Sequence, residues 1–166
     1  MATKNDFTQE EWALLRDTPH VVAMAVAVAG ASGFFGSIKE ALTSAGAIVE
    51  GLKGDNCLLQ AVCSLEEIKA GQKALRSGLQ PSDIESLRHQ LKTAATEKAD
   101  SAVTLLSRKG FSEDLESYRS FLTDIGTRVA KAAKEGGFLG FGGERVSEGE
   151  RELLAQLDAV LRERPV

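Results

Sequence analysis

The side chains best suited to proton transfer, nucleophilic attack or metal ligation are scarce: two histidines and two cysteines in 166 residues. Glu85 precedes His89 by four residues. A carboxylate-bridged di-iron bundle needs Glu-x-x-His on two helices, with further glutamates facing inward. The Glu85–His89 interval is one residue too long for that, and His20 has no such glutamate. Each histidine is therefore read as a surface or packed structural residue. Cys57 and Cys63 stand six residues apart, which on one helix turns them to different faces. Zinc and thioredoxin-type sites need closer pairs, so both are read as small buried thiols. There is no Gly-x-Ser-x-Gly elbow, and a Ser or Cys triad would have to recruit a histidine without any local signature. No catalytic residue, metal ligand or cofactor is expected, and the reading leans away from an enzyme.

The most distinctive stretch is residues 136–143, GGFLGFGG. Successive glycine N–H groups can cradle a phosphate ahead of a helix. Both glycine-loop nucleotide motifs begin after a strand, however, and the P-loop also needs a lysine near its end. Here a helical pattern precedes the glycines, and Phe138, Leu139 and Phe141 interrupt them. The loop is read as a connector whose apolar residues tuck under neighbouring helices. A calcium loop fails on its ligands. Were Val146 at the eighth position, Leu139, Phe141 and Gly143 would stand where a hard cation needs side-chain oxygens.

Charge narrows the partners. The formal net charge is −4 with a pI near 5.3, whereas phosphate backbones are bound by clustered Lys and Arg. No nucleic acid is expected. The longest apolar run, residues 21–35, is too short to span a bilayer and is broken by Gly30 and Gly33. The residues ahead of it are mainly acidic, unlike a secretory leader. The chain is read as soluble and cytoplasmic.

What remains is architecture, and the signals for it are dense. A capping box sets Ser or Thr before a helix with Glu three residues on, each side chain satisfying a free first-turn N–H. Five occur: Thr8/Glu11, Ser37/Glu40, Ser64/Glu67, Ser82/Glu85 and Ser147/Glu150. Ser112 is a sixth candidate cap, and Phe7, Phe111 and Val146 could staple the chain ahead of their caps. Gly54, Gly78, Gly110 and Gly136 follow apolar runs and could close helices in the left-handed conformation. The apolar spacing is helical throughout. Stripes run through Ile38, Leu42, Ala45, Val49 and Leu52, and through Ile84, Leu87, Leu91, Ala95, Ala102 and Leu106. Another runs through Leu115, Tyr118, Leu122, Ile125, Val129 and Ala132, and a last one through Leu153, Leu154, Leu157, Val160 and Leu161.

The spacing predicts helices near 8–17, 19–30, 37–53, 56–77 with a possible break at Ser64, 82–109, 112–135 and 147–163. The expected fold is all-α, a single domain over 1–166 forming a bundle of six or seven helices. A long antiparallel hairpin turning at Gly110-Phe111 is its expected backbone.

Function is far less legible. Residues 21–29 are apolar on every face, so that helix must be surrounded by its own bundle or by another subunit. Trp12 is read as a core anchor. Phe34, Phe35, Phe138 and Phe141 are the candidate partner or ligand contacts, because large apolar residues in loops must be covered by something. The expected function is a non-enzymatic interaction or scaffold module that binds a protein partner or associates with itself. The alternative is a carrier or sensor of an apolar small molecule, held between the Ala-rich helix and the Phe-bearing glycine loops.

Overall fold

The computed structural model describes residues 1–29, 45–79, 83–135 and 147–162. Among them every regular element is helical. A 3-10 turn at Lys4–Asp6 leads into α1 (Gln9–Ala29). Then come α2 (Ala45–Val49), a 3-10 turn (Glu50–Lys53), α3 (Cys57–Val62) and α4 (Leu65–Gly78). The long helices α5 (Ile84–Arg108) and α6 (Ser112–Glu135) follow, and α7 (Glu148–Arg162) ends the set.

The starts show which side chains cap. Thr8 and Glu11 satisfy one another's backbone N–H groups, at 2.8 and 3.2 Å, and Ser147 and Glu150 do the same at 2.7 and 3.2 Å. Phe7 stacks on Trp12, ring centroids 6.1 Å apart, as a staple between the residue before the cap and the fourth helical position. The break at Ser64 is present, and Ser64 Oγ accepts the Glu67 N–H at 3.4 Å. Glu67 does not return the bond, because its carboxylate is engaged elsewhere.

Two expected caps are corrected. α5 starts behind Asp83, whose Oδ1 accepts the Ser86 N–H at 2.8 Å. Aspartate caps as well as serine, which displaces the Ser82/Glu85 box by one residue; Ser82 itself lies outside the described residues, as does the Ser37/Glu40 box. Ser112 is already the first residue of α6 rather than its cap.

Of the glycine stops, Gly110 alone among the described residues takes a positive φ, +77°. Its N–H reaches Ser107 O at 3.0 Å and that of Phe111 reaches Leu106 O at 3.1 Å, the paired bonds of a Schellman turn. Gly54 is extended and Gly78 stays inside α4. Gly136 falls outside the described residues.

The expected pair of helices at 8–17 and 19–30 is one continuous helix, with Pro19 in its interior. Proline lacks the N–H that would bond the carbonyl four residues back, here Leu15 O. Tyr118 of α6, completely buried, supplies the missing donor: its Oη bonds Leu15 O at 2.7 Å. The Thr18 hydroxyl bonds Leu14 O at 2.7 Å beside it. Tyr118→Phe should therefore cost about 1–3 kcal/mol, the penalty of an unmet buried carbonyl. In a Pro19→Ala background residue 19 regains its N–H, and the same change should cost clearly less. Equal losses in both backgrounds, measured by urea unfolding, would show that the hydroxyl is not standing in for the proline.

α1 is the axis of the bundle. It packs most extensively on α5, then on α6, α4 and α7, while α5 and α6 fold back on each other across Lys109–Phe111. Its apolar run is enclosed by these neighbours: Val21 through Val26 and Val28 are buried. The stripes of α5, α6 and α7 point inward largely as spaced, with Leu91, Leu106, Leu122, Ile125 and Leu153 at most 1% exposed. Among the described residues, two stripe positions are exposed instead. Leu52 is 37% exposed because the helix tightens into a 3-10 turn at Glu50, and three residues per turn slip the phase. Ala132, near the end of α6, is exposed.

Candidate functional site

A dense polar group lies where α1 meets α4, beneath residues 1–7, the amino-terminal strap that carries the Lys4–Asp6 turn. Glu67, 7% exposed, extends from the first turn of α4. Lys4 Nζ stands 2.5 Å from its Oε1 and Arg16 lies 3.8 Å from its Oε2, while Arg16 also holds Asp17 at 2.6 Å. Lys4 additionally sits 5.4 Å above the ring of Trp12, itself 4% exposed. One turn farther along each helix, the His20 imidazole rests on Gly71. A methyl group built on Gly71 would collide with Cδ2 and Nε2 of that ring. The glycine is thus a seat for the histidine, and the two helices can close only because it has no side chain.

The electrostatics follow from this packing. Burial works to raise the Glu67 pKa, but the Lys4 ammonium, the Trp12 indole and Arg16 outweigh it and hold the group below its ordinary value. His20 moves down from 6.5 to about 4, chiefly because burial disfavours imidazolium; Asp17 pulls it up and Arg16 pushes it down. It is neutral at physiological pH.

A second fastener lies close to the same end of the bundle. Asp114, 1% exposed in the first turn of α6, accepts the Ala2 N–H at 2.6 Å and the Asn56 amide at 2.9 Å. Lys109 reaches Glu11 at 3.0 Å and the Asp6 carbonyl at 2.9 Å. Strap, α1, α3, α4, α5 and α6 are joined through these few side chains. The Lys4–Glu67 contact could not be found from spacing, since it bridges 63 residues. Only the misfit of an acidic residue at an inward position of α4 hinted at it.

The candidate residues divide clearly. His89 lies on the exposed side of α5 and His20 is packed, as their types suggested. Cys63 is buried, pushed up to about 12 by desolvation, and covered by Gly51, where a methyl would strike its sulfur. Cys57 is a correction: it is the exposed first residue of α3 rather than a buried thiol. Phe34, Phe35, Phe138 and Phe141, with the 136–143 loop, lie outside the described residues. Among the described residues no three of His, Cys, Asp and Glu gather to hold a metal ion, and no helix is long and apolar enough to cross a membrane. The chain matches no protein-family model, no curated protein and no solved structure.

Proposed function

We propose that the chain is a non-enzymatic helical interaction module that associates with itself and acts in the cytoplasm. One observation carries the reading: the buried groups with the most chemistry in them serve as fasteners between elements. Glu67 ties the strap and α1 to α4, Asp114 ties the strap and α3 to α6, and His20 seats α1 on α4. Groups held this way stabilise a platform rather than wait for a substrate. Two free thiols suit a reducing compartment. With the apolar run of α1 enclosed in the bundle, the large apolar side chains next along the sequence, Phe34 and Phe35, are assigned to the contact between copies.

Light scattering over a dilution series tests this. The wild type should exceed the monomer mass and fall towards it on dilution. Phe34→Ser with Phe35→Ser should be monomeric at every concentration with unchanged helix content. A wild type that is monomeric throughout would overturn the reading, and an apolar molecule seen bound in native mass spectrometry would favour a carrier instead.

A further inference from the structure

Among the described residues, α4 packs on the bundle along one side. Ile68, Gly71 and Leu75, with Glu67, are buried on the side that meets α1. A flanking side opens with Leu65, which is 70% exposed, and continues through Lys69, Gln72 and Arg76. Intervals of four, three and four residues keep these side chains on one helical face. Lys69, Gln72, Lys73, Arg76 and Ser77 line a cleft of about 350 Å³. These described lining residues bring hydrogen-bond donors and cations and no carboxylate.

Several cations elsewhere on the protein reach a carboxylate, among them Lys4, Arg16, Lys92 and Lys109. Lys69, Lys73 and Arg76 reach none among the described residues. On a chain of net charge −4, Lys69, Lys73 and Arg76 gather three cations beside an exposed leucine, outnumbering the exposed Glu66 on the same flank, and give the face a locally positive field.

We propose that this face of α4 docks an acidic amphipathic helix of another protein, an activity independent of self-association. The length fits such a partner. Lys69 to Arg76 covers roughly 10 Å along the axis at 1.5 Å per residue, room for three carboxylates spaced a turn apart. It is too short to follow the phosphates of a duplex, whose backbone the overall negative charge would also repel. Leu65 offers an apolar side chain of the partner something to pack against, which a bare polyanion would not use. The aliphatic stems of the lysines extend that apolar strip while their ammonium groups stay in water.

The test mixes the full chain with a fluorescein-labelled, alanine-rich helical peptide of about sixteen residues. The peptide carries one leucine followed by glutamates at intervals of four, three and four. Fluorescence anisotropy at low ionic strength should show saturable binding that weakens as salt is added. Lys69→Glu, Lys73→Glu and Arg76→Glu together should weaken it by about tenfold or more, as should replacing the peptide's glutamates with glutamine. Leu65→Ser should weaken it too. All four positions are exposed, and circular dichroism confirms that the variants keep the fold. Failure of the wild type to bind, or equal binding by the charge-reversed chain or by the glutamine peptide, would overturn the proposal. So would two other results: an oligonucleotide that displaces the peptide at equal concentration assigns the face to phosphates, and a change of mass in Leu65→Ser without peptide assigns it to a second copy.

Discussion

Ile125→Ala should lower the free energy of unfolding by about 2–5 kcal/mol, the range for truncating a large buried aliphatic side chain. Ile125 is 0% exposed and lies on the inward stripe of α6 between Leu122 and Val129, which are 1% and 4% exposed. α6 faces α1, α5 and α7, so the lost methyl groups leave a space bordered by several helices. A rigid junction of that kind collapses poorly, and part of the loss is the cavity itself. Urea unfolding measures it: the midpoint should fall while the slope stays that of the wild type. A loss below about 0.5 kcal/mol would mean that the seam is not where the helical spacing puts it.

Acid should weaken the fold well before the carboxylates titrate. In the folded chain His20 holds a proton only near pH 4, whereas an unfolded histidine takes one up at about 6.5. As pH falls through 6.5 the unfolded state gains a proton that the folded state refuses, so stability declines. The decline approaches about 1.4 kcal/mol per pH unit and ends near pH 4, where the folded chain is protonated too, for a total of about 3 kcal/mol. Glu11, Glu50, Glu67 and Glu152 all sit below their ordinary value, so their contribution is present above it and disappears only at lower pH. The interval from pH 6.5 to 5 therefore reports on His20. His20→Gln should flatten the slope there, and an unchanged slope in that variant would remove His20 as its source.

These two residues illustrate what a sequence discloses. Ile125 was legible because helical burial repeats every three to four residues, and a stripe of six positions leaves little freedom in its phase. The burial of α1 was legible for a similar reason: a run apolar on all sides needs neighbours on all sides. The continuity of α1 through Pro19 was not, because the donor that rescues Leu15 O is Tyr118, some hundred residues away. The His20–Gly71 seat and the Lys4–Glu67 pair are equally long-range and leave no periodic trace. Local rules also misled where two adjacent residues could do one task. Asp83 took the cap that spacing gave to Ser82, and Ser112 was drawn inside the helix it was expected to cap. Leu52 shows a further limit, since one tightened turn is enough to bring a stripe residue to the surface.

The helix at the centre of the bundle precedes all of its main neighbours in the chain. Its most extensive contacts are with α5 and α6, which begin more than fifty residues after it ends, so most of its packing joins segments far apart in the chain. Roughly a hundred residues must be added after Ala29 before α6 is complete, about 5–20 s at ordinary synthesis rates. During that interval Val21 to Val28 have an incomplete set of neighbours, because α4 and then α5 are made before α6. Biosynthesis of this fold thus carries a waiting period in which its most apolar segment is open to chaperones or to aggregation. Contacts of such long range also place its folding rate below that of bundles whose helices pack in chain order.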